Sequence, residues 1–254
     1  MSYNIRLDIA SDGINKWDNR KEELIDQLEA YEPDFLGIQE GLHHQVLYLD
    51  SSLSDYGYIG IGRENGLTKG EYCAIFYKKE KFSVISDSTI WLSENPTSVS
   101  VGWDAAMERI CTCCLFMDIE SGQKIWIFNS HYDHIGAGAR ENSSKLILEH
   151  INNLNNKNFP TILMGDFNSV PKSKPIEIIT AKFDDAYSVS VLDPVGPPGT
   201  FTGFREDAPL LDRIDYIFVK GFKVLSVSHL NEMRHDGNFL SDHLPVFVKI
   251  ELLD

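Results

Sequence analysis

Thr161-Ile162-Leu163-Met164-Gly165-Asp166-Phe167-Asn168 runs from an apolar stretch straight into a glycine, a carboxylate and an amide. A short apolar run closed by a turn signal reads as a buried strand. Its polar residues then stand at the strand's C-terminal end, where burial is costly without a partner or a function. Five other segments repeat the construction. Asn4 interrupts the first strand, Gln39-Glu40 closes the run from Asp34, and Asn129 and His131 share one face of residues 125–134. Asp215 follows Arg213 before an apolar run, and Asp242-His243 precede the last one. Singly, each is an ordinary turn, cap or solvated strand end; six together exceed what packing requires.

Working outward, the spacing predicts strands at residues 3–8, 34–39, 72–77, 82–91, 110–119, 124–131, 161–164, 214–219, 222–229 and 245–252. A helix over residues 20–31 carries Leu24, Leu28 and Tyr31 on one face, with Asp18-Asn19 as its N-cap and Pro33 as its stop. A second helix starts near Arg140 and carries Ile147, Ile151 and Leu154, and a weaker one covers 174–181. Strand, helix, strand thus opens both halves. Helices flanking many strands predict an α/β fold: two mixed sheets packed face to face and covered outside by helices, a four-layer α/β/β/α sandwich. Neither repeats nor a polar linker mark a boundary, so residues 1–254 read as one domain.

The 254 residues are 43% hydrophobic and 24% charged, which excludes disorder as a whole-chain reading. Against 38 Asp and Glu stand 23 Lys and Arg, a net charge of −15. That balance repels polyanions and disfavours general nucleic-acid binding, though a bound cation can reverse the field at one site. The N-terminal residues show neither a basic nor an apolar leader pattern, and an apolar run of about 18 residues is absent, so the expectation is a cytoplasmic protein with no membrane span. Cys111 and Cys114 form a C-x-x-C, but on a strand they point to opposite faces. With Cys73 and Cys113 they read as buried thiols. His43, His44, His150, His229 and His235 have no partner at ligand spacing and read as surface or structural histidines.

The ordered segments Asn4-Ile5-Arg6, Gln39-Glu40, Gly70-Glu71-Tyr72, Arg109, Asn129-Ser130-His131, Gly165-Asp166-Phe167-Asn168-Ser169, Arg213-Ile214-Asp215-Tyr216 and Ser241-Asp242-His243 resemble the endonuclease/exonuclease/phosphatase superfamily over nearly the whole chain. That superfamily includes deoxyribonucleases, abasic-site endonucleases, deadenylases, inositol polyphosphate 5-phosphatases and sphingomyelinases. Its fold is the same α/β/β/α sandwich.

Phosphate-ester hydrolysis needs charge neutralisation on the phosphoryl oxygens, an activated water in line with the leaving group, and stabilisation of the departing oxygen. The resemblance implies Glu40 as the main ligand of Mg2+ or Mn2+, hard cations suited to carboxylate oxygen. Asn4 is its neighbour, at a second ion or on phosphate, and one or two ions are expected. Asp166 orients or deprotonates the attacking water, and Asn168 offers an amide to a phosphoryl oxygen. His243 is paired with Asp242, which fixes its tautomer or itself ligates metal. His131, paired with Asp215, is a second phosphate contact or leaving-group acid. Tyr72 and Arg109 contact phosphate or brace the site. Asp133 is expected at a surface strand end or in a widened substrate site, while Arg63, Trp103-Asp104, Arg140 and the Gly199-Thr200-Phe201 turn match pocket-lining loops.

The leading expectation is a divalent-metal-dependent phosphoesterase, cleaving a phosphate mono- or diester of a small or lipid-like compound by in-line attack of water. A nuclease acting on DNA or RNA is the alternative, disfavoured by net charge because binding a polynucleotide requires a basic face. His131-Tyr132-Asp133-His134 partly matches a metallo-β-lactamase H-x-H-x-D-H, but Asn129 stands where its first histidine belongs. A non-catalytic interaction module would leave an intact and costly polar set unexplained.

Overall fold

In the computed structural model of the chain, which describes residues 1–253 other than 206 and 208, the two halves open alike. The first contains β1 (Ser2–Asn4), α1 (Lys21–Tyr31), β2 (Phe35–Gln39), α2 (His43–Ser52), β3 (Tyr56–Ile59), β4 (Ile75–Lys78), β5 (Phe82–Trp91) and β6 (Ile110–Asp118). The second contains β7 (Lys124–His131), α3 (Ala137–Leu154), β8 (Thr161–Asp166), α4 (Lys174–Thr180), β9 (Asp184–Asp185), α5 (Ala186–Val189), β10 (Asp215–Lys220), β11 (Phe222–His229) and β12 (Val246–Leu252).

Two six-stranded sheets result, ordered β11-β12-β1-β2-β4-β3 and β5-β6-β7-β8-β10-β9. Each is mixed, because its central pair is parallel (β1 with β2, β7 with β8) and its other pairings are antiparallel. Parallel neighbours need a crossover, and α1 and α3 supply them.

Side chains alternate across each strand, which sorts them into three apolar layers. Phe35, Phe116, Ile127, Met164, Ile217 and Val224 pack between the sheets. Leu36 and Ile38 face outward onto Leu24, Leu28, Val46 and Leu49 of α1 and α2. Phe128, Leu163 and Phe218 face Ile147, Ile151 and Ile176 of α3 and α4. Full burial of one such aliphatic side chain stabilises the fold by about 1.5–3 kcal/mol. The four-layer sandwich is therefore the observed fold. Cys111 and Cys113 face the helices while Cys114 faces the inter-sheet layer, and all four cysteines are free and buried.

Several local expectations differ. β1 stops at Asn4, four residues early, because Arg6 turns the chain into the left-handed region at φ 56°. Residues 17–19 form a 3-10 turn anchored by buried Trp17, so Arg20, not Asp18-Asn19, is the N-cap of α1, with no side-chain capping bond. Helix α3 begins at Ala137, three residues before Arg140. Its first turn donates Gly138 and Ala139 N–H groups to the Asp104 carboxylate, a cap supplied from 35 residues away. Tyr72 precedes β4, bridging only to Gly41. α2 and β3 were not anticipated. Among the described residues no helix is long and apolar enough to cross a membrane.

Candidate active site

Parallel strands bring their C-terminal ends, and antiparallel strands their N-terminal ends, to one edge of a sheet. Asn4 therefore stands beside Gln39 in the first sheet. In the second, His131, Asp166 and Asp215 stand side by side on β7, β8 and β10. Asp242-His243 lead into β12 and are tied to the Phe201 segment by the His243–Phe201 bridge and by Thr202 N–H donating to Asp242 O. The sheets close over this edge. A Cβ on Gly37 would lie 2.7 Å from Met164 and 2.9 Å from Asn129 of the other sheet, and within the second sheet one on Gly165 (φ 147°) would lie only 1.9 Å from Ser130 O on β7.

Three non-glycine residues here, Arg6, Glu40 and Asn168, have φ of 56°, 64° and 45°. Left-handed backbone costs about 1–2 kcal/mol per residue, offset here by side-chain bonds across the Arg6 and Asn168 turns and by one from the neighbouring Leu7 to Glu40. Arg6 N–H donates to Asn4 Oδ1 (3.0 Å), Leu7 N–H to Glu40 Oε2 (3.1 Å) and Asn168 N–H to Asp166 Oδ1 (2.9 Å).

These turns surround a cleft of about 390 Å³ lined by Arg6, Glu40, Arg109, His131, Asp166, Asn168, Asp242 and His243, with Leu7, Glu71, Met107, His134 and Phe201. Asn4 and Asp215 lie beneath it. Asn4 Nδ2 donates to Glu40 Oε1 (3.1 Å) and Asp166 Oδ2 (3.0 Å) and lies 3.4 Å from His243 Nε2. His243 Nδ1 meets Asp215 Oδ2 at 2.8 Å, and Thr200 Oγ1 donates to the same oxygen at 2.6 Å. His243 Nε2 faces Asp166 Oδ2 at 3.8 Å. A larger, mainly apolar cavity of about 610 Å³, bordered by Phe35, Phe82, Ile125, Phe222 and Leu252, opens between the sheets at Met1 and Asp34. Its polar border is mainly surface ion pairs such as Lys81–Asp34, so the smaller, carboxylate-rich cleft is the chemical one.

The expected pairings are exchanged. Asp215 holds His243, not His131, because β12 brings His243 over the start of β10. Asp242 instead turns to Arg6, 3.5 Å from Nη1. His131 lies against Arg109 Nη1 (3.1 Å), Asn168 Nδ2 (3.2 Å) and Asp166 Oδ2 (3.4 Å). Asn129 is not in the cleft: fully buried, it donates to Ile38 O (2.8 Å) and Ala74 O (2.9 Å) and accepts from Gln39 Nε2 (2.6 Å). Tyr72 also lies outside the cleft, its hydroxyl between His43 Nδ1 (2.9 Å) and Leu67 O (3.0 Å). Asp133, expected at a surface, is buried; it accepts from Ala106, Ile135 and Gly136 N–H and braces Arg109.

Charge is divided between the two histidines. Burial alone would lower the His243 pKa, but Asp215 and Asp166 outweigh it and raise it well above the usual value, so the ring is imidazolium at neutral pH. Burial, then Arg109 and Arg63, lower His131 well below the usual value and keep it neutral. Burial, with Asp215 adding, pushes Asp166 up to about 7. Burial also pushes Glu71 up to about 7 despite its two 2.7 Å bonds from Arg63, and Glu40 adds to that shift. Asp242 is raised by burial, with Glu40 again contributing.

Ligand atoms of Asp166, Asp215 and His243 lie within 4.8 Å of one another. A protonated ring with Nδ1 engaged by Asp215 handles protons better than it binds a cation. Glu40, Asp242 and Glu71 form the oxygen-rich side of the cleft, where mutual repulsion favours a positive charge. Glu71 stood in the sequence beside Tyr72 without an assigned role; its signal was an acid following Gly70, whose φ of 85° turns the chain into the cleft.

A four-layer sandwich carrying a His–carboxylate pair, a second buried carboxylate and a carboxylate-rich cleft at its sheet edge is the architecture of a phosphoester hydrolase. The chain belongs to the endonuclease/exonuclease/phosphatase family, whose sequence model matches residues 1–243. It is similar to a solved endonuclease/exonuclease/phosphatase from Bacteroides vulgatus (37% identity, TM-score 0.93, covering 99% of this chain and 97% of that one). It is also similar to a mannosyl-6-phosphatase from Bacteroides thetaiotaomicron (34%, TM-score 0.93, 99% and 98%). A more distant relative is the Ccr4 3'-5'-exoribonuclease subunit of the Saccharomyces cerevisiae CCR4-Not complex, 24% identical over 64% of this chain and 23% of that protein.

Proposed function

We propose that this protein is a divalent-metal-dependent phosphomonoesterase acting on a small phosphorylated compound, with a sugar phosphate as the substrate class. The observation that carries the reading is the convergence of Asp166, the His243–Asp215 pair and the carboxylates Glu40 and Asp242 at one cleft. The likeness to a mannosyl-6-phosphatase along the whole chain supports the sugar phosphate. A 390 Å³ cleft on a molecule of net charge −15 suits a compact substrate better than a polynucleotide.

Glu40 and Asp242 are the residues that would hold Mg2+ or Mn2+, with Asn4 orienting Glu40. When bound, the ion neutralises charge on the phosphoryl group and supports the leaving oxygen. Asp166, with its pKa near neutrality, accepts a proton from the attacking water while Asn168 N–H and Asn4 hold its oxygens. His243, protonated and fixed through Nδ1 by Asp215, presents Nε2–H to a phosphoryl oxygen, as the expanded charge of the transition state requires. Arg6 is gripped at Nε and Nη2 by Asp12 (2.9 Å each), which places Nη1 at the cleft beside Asp242 (3.5 Å) and Glu40 (3.9 Å), where it would turn to a bound phosphate. Neutral His131, locked by Arg109, stands next to Asp166 and Asn168 to serve the leaving oxygen. The departing oxygen takes a proton from solvent and Asp166 returns its own, so the products are the free alcohol and inorganic phosphate.

The test is phosphate release by purified protein from hexose 6-phosphates and p-nitrophenyl phosphate with Mg2+ or Mn2+, beside bis(p-nitrophenyl) phosphate, poly(A) and plasmid DNA. Release from the monoesters, stopped by EDTA, is expected. Inactivity on every ester sinks the assignment, and a salt-sensitive preference for polynucleotide makes the protein a nuclease.

A further inference from the structure

Arg20 is the largest side chain the fold buries completely, and it is a poor choice for its position by local rules. It is the N-cap of α1, where a short polar acceptor is favoured and where the helix dipole repels a cation. Its hydrogen bonds all go to main-chain oxygens. Nε donates to Asn15 O (2.9 Å), Nη1 to Ile5 O (2.5 Å) and Leu240 O (3.2 Å), and Nη2 to Arg6 O (2.6 Å), while the guanidinium lies 5.1 Å from the Trp17 ring centroid.

Those oxygens belong to chain segments that carry the cleft. Ile5 and Arg6 continue directly from Asn4, whose amide touches Glu40, Asp166 and His243. Leu240 is two residues before Asp242, and the seam is closed by Ser241 Oγ donating to Asn4 O at 2.7 Å. Asn15 ends the turn that contains Asp12, the carboxylate gripping Arg6. Among the described residues, the Arg20 guanidinium is thus the one group whose fork bonds the exit of β1, the Asp12 turn and the approach to Asp242-His243 together. A flat five-donor fork suits this task, whereas a compact three-donor ammonium cannot reproduce these four bonds made from three separate nitrogens.

We propose that Arg20 is a positioning residue for the phosphoesterase site: it fixes Asn4 and Arg6 relative to Asp242 and His243, and so sets both turnover and affinity for the divalent ion. The inference rests on the metal-dependent reading above. Misplacing reacting groups by about 1 Å costs on the order of 100-fold in rate. In Arg20→Lys we expect kcat to fall ~10-fold or more with KM changed less, and the Mg2+ concentration giving half of the Mg2+-induced rise in Tm to increase ~5-fold or more. Ile147→Ala, a change in the α3 core, supplies a destabilised comparison with wild-type kcat and Mg2+ response. Trp17→Leu, which removes the ring beside the guanidinium but none of its hydrogen bonds, is the milder second variant and should lower kcat ~3-fold or more with the same Mg2+ signature. Wild-type kcat and Mg2+ response in whichever of the two variants folds, with a lowered Tm alone, reduces Arg20 to a structural residue and overturns the proposal. If the wild-type protein itself hydrolyses none of the esters, the reading beneath it fails instead.

Discussion

At the scale of single residues, the decisive contact in the proposed site is His243 Nδ1 to Asp215 Oδ2, because it favours the charged ring and holds it with Nε2 facing Asp166. Removing the ring or the proton acceptor should each cost ~1,000-fold or more in kcat, measured for His243→Ala and Asp166→Asn in a continuous phosphate assay, with circular dichroism unchanged. Asp215→Asn should fall by ~100-fold or more, since the imidazolium loses the carboxylate that stabilises its charge and holds its orientation. If Asp215→Asn turns over like wild type, His243 works without its partner and the division of charge between the two histidines is wrong. The sequence made these residues visible by their cost: carboxylates and imidazoles at the ends of apolar strands need a reason. What it could not give was partnership. Asp242 and His243 are adjacent in sequence and so look like a pair, yet neighbouring residues at a strand entry point apart, and the pairing is decided by strand order.

Asn129 shows the same limit at the scale of secondary-structure elements. By alternation it shares a face with His131, which made it a site candidate, but that face turns inward onto β2, where the two sheets meet. Its amide replaces a missing rung between sheets, bonding Ile38 O, Ala74 O and Gln39. Asn129→Ala should lower stability by about 2–4 kcal/mol, because several buried polar groups lose partners, while kcat at low temperature stays within about threefold of wild type. Urea unfolding and steady-state kinetics on one preparation separate that outcome from a catalytic role, which would show the reverse. Strands with strong apolar or alternating patterns, such as β5, β7 and β11, were legible to the residue. α2 and β3 were not: α2 starts after Leu42 with Gln45 as the reciprocal side chain instead of a Ser or Asp cap, and β3 contains Gly57. At the end of β11, burial lowers the pKa of His229, whose Nδ1 bonds Pro197 O at 2.7 Å. The folded state therefore resists a proton that the unfolded chain accepts freely. This group's contribution is complete above about 6.5, its ordinary pKa, and is lost as pH falls below that value. His229→Phe should accordingly lose less stability than wild type between about pH 8 and about pH 5.5 in matched urea titrations; equal losses would place the proton elsewhere.

Over the whole molecule, the inter-sheet layer joins two sheets that each draw strands from both halves of the sequence. Phe35, Ile75 and Val246 of one sheet share a single packed cluster with Phe116, Ile127 and Ile217 of the other, so neither sheet can expose its inner face independently. The site repeats this dependence, since Asn4, Glu40 and His243 come from one sheet and His131, Asp166 and Asp215 from the other. We therefore expect one domain and one cooperative transition, with calorimetric and van't Hoff enthalpies equal and activity lost in the same urea interval as far-UV signal. Mg2+ in the proposed site would bind only the folded chain, so it should raise the midpoint of the entire transition in a concentration-dependent way that EDTA reverses. Glu40→Gln combined with Asp242→Asn should abolish the shift, because the two carboxylates that would hold the ion are neutralised. A Mg2+ shift that survives in the double variant moves the ion away from this edge of the sandwich, and a separate early transition for either half breaks the link between the core and the cleft.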